Sequence, residues 1–342
     1  MRRVAQGVIA VSALLAVGIG GCGGHGAGAG GGTQFSIVDL GNLNVRGLNQ
    51  RGDLVGFYPG YLSVFTPLPQ KGILRSASGA ITELLTTDGT WASFAQGVSN
   101  NGLVAGSTAN ATEWVNGVAV PLPLPTDPNF PETLAWSINS KGQVLGFSFS
   151  SDPASPEEAV YWSSATASPV TITPNGFQPV RLIDSGLALG YVSTPAGNEL
   201  YEVNVSTGTA ATDLHVSAQQ AAPFYIAIAM NDLGTIVCST GASLNLIEIS
   251  PDGIQKQILT SATGTGINNL GDIVGVVQGY PNEAYVYTRA KGVVNLNALL
   301  PAHSTWQLVT PLGINDLGQV FGEGVHNGNP ASFILQLPTG YY

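Results

Sequence analysis

Beyond residue 34 the apolar positions come in short stretches broken by Gly, Asn, Asp and Ser. This is a pattern of strands and tight turns, not of long amphipathic helices. Stretches such as KGILRSASGAITELL, EAVYWSSATASPVTI, LIEISPDGIQKQIL and EAYVYTRAKGVVNLNALL each read as two strands across a turn. Between them one segment recurs seven times: GLNQRGDLVG at 47–56, GVSNNGLVAG at 97–106, SINSKGQVLG at 137–146, LIDSGLALG at 182–190, AMNDLGTIVC at 229–238, GINNLGDIVG at 266–275 and GINDLGQVFG at 313–322. Aligned on Asn49, Ser99, Asn139, Asp184, Asn231, Asn268 and Asn315, the copies lie 50, 40, 45, 47, 37 and 47 residues apart. A period of about 44 residues is that of one four-stranded propeller blade.

Each segment has the chemistry of a hairpin. An Asn, Asp or Ser opens the turn by accepting backbone amides, and a Gly three residues later supplies positive φ. A type I turn followed by a left-handed Gly joins two strands with a bulge. The fourth copy, Asp184-Ser185-Gly186, is one residue shorter, which predicts a tighter turn. Two residues before the turn stand Gly47, Gly97, Ser137, Leu182, Ala229, Gly266 and Gly313, mostly small, as strands crowded near an axis require. A second small column closes the segment at Gly56, Gly106, Gly146, Gly190, Cys238, Gly275 and Gly322. Cys238 in that column reads as a small buried residue.

The chain opens its repeats with a lone strand, FSIVDLG, and the seventh repeat ends after a third strand, ASFILQL at 331–337. The first strand therefore supplies the fourth strand that the last repeat lacks, and ring closure would remove the exposed sheet edges. These features predict an all-β fold, a seven-bladed β-propeller over 35–342 closed by the N-terminal strand. The alternative, an open β solenoid, gives no reason to split one repeat between the termini.

Arg2, Arg3 and the apolar run Val8–Ile19 form a leader too short to span a bilayer, which needs roughly 20 residues. Its end, Ile19-Gly20-Gly21-Cys22, resembles the lipobox of bacterial lipoproteins. That resemblance implies a signal peptide at 1–21, diacylglycerol on Cys22 and, with Gly23 following, outer-membrane or surface attachment. The alternative is an ordinary secretory signal cut near Gly21 or Ala27. Residues 22–34 then hold the lipidated Cys and a Gly-rich tether.

The expected mature charge is 9 − 21 = −12, because two of the 11 basic residues leave with the signal. That balance disfavours nucleic acid and anionic lipid as partners. With Cys22 assigned, Cys238 has no cysteine to pair with, and His25, His215, His303 and His326 show no metal-ligand spacing. One carboxylate or none per turn is too few for calcium, so the turn Asn and Asp read as caps. No nucleophile elbow, HExxH, Walker loop or GxGxxG after a strand is present, and no cofactor or metal is expected.

Asp152, Glu157 and Glu158 cluster beside a Pro-rich stretch of the third repeat. They read as a solvated loop, with a general-acid pair or a cation site as the alternative. Trp91, Phe130, Phe177, Phe224 and Trp306 recur before the turns, where the chain crosses between blades. They read as packing residues, or otherwise as a ligand platform. Pro121-Leu122-Pro123-Leu124-Pro125 reads as an inter-blade linker.

The repeat as a whole resembles that of the bacterial extracellular HAF-repeat family, whose unit runs roughly "GIND-G-VVG … HAFLW … DLG-L". Glu158-Ala159-Val160-Tyr161-Trp162 and Glu283-Ala284-Tyr285-Val286-Tyr287 match the HAFLW segment, and FSIVDLGNL at 35–43 the DLG-L strand. No copy keeps the His of HAF, so no role of that residue carries over. The resemblance, covering 35 to about 337, implies the fold and no enzymatic site. Three functions are then open: a surface-anchored, non-catalytic binding or scaffolding propeller with a protein or glycan partner, an envelope hydrolase or lyase using face carboxylates on a polysaccharide, and a structural cell-surface component. Nothing in the sequence points beyond a monomer.

Overall fold

In the computed structural model the chain is described over residues 36–342, apart from 60, 64–65, 68–69, 91–92, 153–156, 196, 219, 222–224, 227, 280–282, 339 and 342. Cys22, His25, Trp91 and Phe224 lie outside the described residues. Seven antiparallel four-stranded sheets stand in a ring, forming a seven-bladed β-propeller. The innermost strands are Asn44–Leu48, Phe94–Val98, Glu132–Ile138, Phe177–Leu182, Ile228–Met230, Ala262–Ile267 and Trp306–Ile314, and they begin blades 1 to 7. In blades 1 to 6 the chain runs outward as a meander, with a small extra hairpin, Tyr61–Ser63 and Thr66–Pro67, inserted between the second and third strands of blade 1. Each repeated segment is the hairpin between the first and second strands, so all seven hairpins share one face of the ring. The turns between third and fourth strands fall on that same face.

Blade 7 takes its outer strand, Ser36–Asp39, from the other end of the chain. The register is Ser36↔Gln336 through Asp39↔Phe333, as the split repeat predicted. Beyond it the Ser332 N–H bonds the Gly41 carbonyl (2.8 Å) and Ile37 packs on the core between blades 6 and 7. The core itself is a series of inter-blade apolar layers, such as Val55, Leu84, Ala95, Val104 and Trp114 between blades 1 and 2. Trp114 and Trp162 lie at or next to the end of a third strand, fully buried, and donate their indole N–H to the Leu85 and Pro123 carbonyls of the preceding blade's outer connection (both 2.8 Å). Leu122 is buried and Pro121 ends the outer strand of blade 2, so the Pro-rich run at 121–125 links blades 2 and 3.

The closing Gly column has a cause that the repeat alone does not show. In six blades the innermost strand bulges by one residue, between Val45 and Gly47, Ala95 and Gly97, Ala135 and Ser137, Pro179 and Arg181, Gly264 and Gly266, and Pro311 and Gly313. The bulge drives a backbone carbonyl over the facing second strand. A methyl group at Gly106 would lie 1.8 Å from the Phe94 carbonyl oxygen, and one at Gly275 1.8 Å from that of Thr263. Blade 5 shows no register shift in its described ladder, and there the column holds Cys238.

The fourth turn corrects the sequence alignment. Ile183, not Asp184, opens it: the Ile183 N–H bonds the Leu187 carbonyl and the Gly186 N–H bonds the Ile183 carbonyl, matching Asn49, Asp53 and Gly52 in blade 1. The turn is therefore full length, not tighter, and the small column there holds Arg181 instead of Leu182.

Candidate functional site

Every hairpin turn carries its Gly in the left-handed region, from φ +68° at Gly318 to +90° at Gly186. In five blades the opening residue is a buried Asn whose two amide atoms have separate duties. Its Oδ1 caps the turn: that of Asn315 accepts from the Leu317 and Gln319 N–H groups (3.1 and 3.0 Å). Its Nδ2 reaches the next blade. Asn49 donates to the Ser99 carbonyl, Asn139 to Ile183, Asn231 to Asn268, Asn268 to Asn315, and Asn315 to Asn49, at 2.9–3.2 Å.

A second ring lies one residue on. The backbone N–H of Gln50 donates to Asn100, of Ser140 to Asp184, of Asp232 to Asn269, of Asn269 to Asp316, and of Asp316 to Gln50, at 2.7–3.1 Å. Among the described residues both rings lack a link at the same two junctions, blades 2–3 and 4–5. There the opening residues are Ser99, whose hydroxyl is spent within its own turn, and Ile183, which has no donor. Other side chains bridge these gaps. Asn101 donates to the Ser140 carbonyl (2.8 Å), and Arg181 forms an ion pair with Asp232 (2.6 Å).

Asp232 is the centre of this face. It accepts from Arg181 of blade 4 and from Gln50 and Asn100 of blades 1 and 2, on the far side of the ring (3.3 and 3.2 Å). Burial opposes its ionisation, but Arg181 and the two amides outweigh that and hold its carboxyl below the usual Asp value. Cross-axis bonds of this kind close the hairpin end of the axis. Asp272 moves the other way: burial and the neighbouring Asp316 raise it.

The opposite face is built from the starts of the innermost strands and the ends of the second strands. Trp136, Phe147 and Phe149 climb blade 3 towards it as an aromatic ladder, with ring centroids 6.1 and 6.2 Å apart. Phe57 meets Phe94 edge-on at 5.2 Å across blades 1 and 2, with the Arg46 guanidinium 5.2 Å above the Phe57 ring. Glu157 accepts from Gln178 of blade 4 (3.1 Å), and burial together with Glu157 pushes the Tyr191 phenol up to about 12.

The structure separates the residues singled out in the sequence. Glu157 and Glu158 point apart, since Glu158 accepts from Thr171 on the outer strand of its own blade (3.2 Å). Asp152 is exposed on a loop, so the three form no carboxylate pair. Phe177 is buried in the layer between blades 3 and 4, and Trp306 stacks on His326 at 4.3 Å, so both serve packing. Phe130 is half-buried. His326 also meets Asp39 at 2.7 Å and His215 meets Asp213 at 3.3 Å, while His303 occupies a loop at φ +66°. Burial pushes the Cys238 thiol up to about 12, in keeping with a core residue. Among the described residues no three of His, Cys, Asp and Glu converge as metal ligands. Sequence reasoning passed over Arg181, Asp232 and Trp136. With Ile183 placed in the Asn column, Arg181 becomes the one large residue among small ones, and that was the available signal.

No family model matches the chain, and no curated protein matches it. Among solved structures it is similar to virginiamycin B lyase from Staphylococcus aureus, at 13% identity and a TM-score of 0.53, covering 89% of this chain and 100% of that one. It is similar to the β-propeller domain of the Trilobed protease from Pyrococcus furiosus, at 9% and 0.54, covering 89% and 97%. That domain has an open velcro topology, whereas here the terminal strand closes the ring. A prolyl endopeptidase matches at 13% and 0.54 over 90% of this chain, which spans about half (51%) of that protein's length. At these identities the likeness is one of fold.

Proposed function

We propose that this protein is a non-catalytic binding or scaffolding propeller of the HAF-repeat type, anchored to the bacterial envelope through lipid on Cys22. It meets a protein or glycan partner with the face opposite the hairpin turns. The observation that carries this reading is how the axial polar groups are used. Asp232, Arg181, Gln50, Asn100, Asn269 and Asp316 are engaged in bonds that hold blades together. On the opposite side Phe94, Trp136 and Phe149 are part-exposed and backed by the buried Phe57 and Phe147, an arrangement suited to sugar faces or apolar side chains. The lyases and peptidases of this fold keep an enzymatic reading in view, but Glu157 and Glu158 diverge.

The test is a glycan array and an envelope pull-down with the parent, Phe149→Ala and the hairpin-face control Asn101→Ala. A ligand held by the parent and the control but weakened about tenfold or more by Phe149→Ala supports the reading. Chemical conversion of the captured glycan by the parent overturns it in favour of the hydrolase or lyase.

A further inference from the structure

The hairpin face presents apolar side chains in adjacent blades. Leu233, Leu270 and Leu317 occupy the third turn position of blades 5, 6 and 7, exposed by 63%, 50% and 46%. At the start of the outer strand exposed apolar residues occur all round the ring, Ile81, Val118 and Val170 in blades 1 to 3 and Ile254 and Val293 at the same place in blades 5 and 6, so it is the inner turns that set blades 5 to 7 apart. Blades 1 to 3 carry Arg51, Asn101 and Lys141 at the same turn position. The turns themselves do not need leucine there, since the position is filled equally by Arg, Asn, Lys and Ser185.

Both faces carry charge. Of the nine Lys and Arg beyond the leader, only Arg46 and Lys71 lie towards the opposite face. Arg51, Lys141, Arg289 and Lys291 belong to hairpin-face turns. Asp127, Asp152, Glu157, Glu158 and Glu283 lie on the loops and strand ends of the opposite face. The hairpin face also carries Asp53, Asp184, Asp232, Asp252, Asp272 and Asp316, and its Arg51, Arg181 and Arg289 are paired with Asp53, Asp232 and Glu248, so the charges around the leucines largely cancel.

The chain also enters the ring on this face. Ser36 pairs with Gln336, which pairs with Gln319, the first residue after the Asn315–Gly318 turn. The Gln336 side chain donates to the carbonyl of Leu317 itself (2.7 Å). Fourteen residues, Cys22 to Phe35, separate the anchor site from that point, a reach of at most about 50 Å.

We propose that the hairpin face lies on the lipid surface to which the chain is anchored, with Leu233, Leu270 and Leu317 entering the interface and the acidic, aromatic face turned outward. The proposal rests on the anchored reading above, and it adds an orientation. Exposed apolar side chains that enter the headgroup region are what interfacial binding uses, and a diacylglycerol on Cys22 would hold this face within reach of the bilayer.

The test uses the full chain processed in a bacterial host, with Leu270→Cys or, on the opposite face, Leu124→Cys, each labelled with bimane on the introduced thiol. Cys238 is fully buried, and a lipidated Cys22 has no free thiol. The proteins are placed on uncharged phosphatidylcholine vesicles containing nitroxide lipids. Bimane at 270 should shift to the blue and be quenched roughly threefold or more relative to 124. Equal quenching at the two positions, or dimerisation that shields 270 without lipid contact, overturns the orientation. Palmitate labelling of Cys22 is followed separately, so an unlipidated chain defeats the anchor alone. In that event a hexahistidine tag replacing 1–21, held on nickel-chelating lipid, provides the same comparison with Cys22→Ala.

Discussion

Asn315 joins blade 7 to blade 1, and two substitutions separate its two duties. Its Oδ1 takes the Leu317 and Gln319 N–H groups, while its Nδ2 donates to the Asn49 carbonyl (3.0 Å) and to Gln319 Oε1 (2.8 Å). Asn315→Asp keeps the acceptor and therefore the turn. The Gln319 amide can rotate to donate, so that contact survives. What is lost is the donor to the carbonyl of Asn49, a residue only 3% exposed, and a carboxylate oxygen then faces a carbonyl oxygen. An unpaired buried acceptor costs about 1–3 kcal/mol, and desolvating the charge adds to it, so a loss of about 3 kcal/mol is expected at pH 7.

The sign of the pH dependence distinguishes this account from simple damage. Burial against a carbonyl raises the folded-state value of the introduced carboxyl above its unfolded value. The deficit is then full above the folded value and disappears as pH falls through it, because the protonated carboxyl can donate to Asn49. Asn315→Ala removes all four bonds, costs about 2–5 kcal/mol, and gains nothing at low pH. Urea unfolding at pH 7 and pH 5, followed by tryptophan fluorescence, measures both. The reasoning fails if Asn315→Asp costs less than about 0.5 kcal/mol at pH 7, or if its deficit is the same at both pH values.

Three further outcomes are expected. Gly318→Val should cost about 1–3 kcal/mol in the same unfolding assay, because φ is +68° there and a β-branched residue is strained at positive φ. Deleting 36–41 should expose the edge of Asn329–Gln336 and cause aggregation in size-exclusion chromatography, whereas deleting 23–32 should leave the melting temperature unchanged; equal behaviour of the two would remove the case for a structural N-terminal strand. Asp232, with its folded value held below the unfolded one, contributes stability that is complete above the unfolded value and lost as pH falls through the folded one, so Asp232→Asn should flatten the acid limb of a pH–stability profile, and an unchanged limb would show that the cross-axis bonds contribute little.

The hairpins, the blade count and the terminal closure were legible in the chain because each depends on signals a few residues long. A capping Asn, a Gly three residues later and a missing last strand can be recognised without knowing what surrounds them. The lettering misled in blade 4, where Asp184 resembles a capping residue but Ile183 takes its place, since hydrogen-bond register and not residue type defines the turn. The Gly column was visible and its cause was not: a bulge on one strand sends a carbonyl into the space of a Cβ on another.

Tertiary structure alone decided where the second amide atom of each Asn would go. Its partner lies in the next blade, 37 to 50 residues away along the chain, or 266 residues away where Asn315 meets Asn49. Whether such groups come within hydrogen-bond distance depends on the tilt and number of blades, which only the closed ring sets. The same holds for Asp232, whose partners come from opposite sides of the axis, and for the apolar arc, because three leucines spaced by 37 and 47 residues become neighbours only when their blades stand side by side. Local turn chemistry is written in contiguous residues; the faces of the ring are assembled from residues that closure brings together.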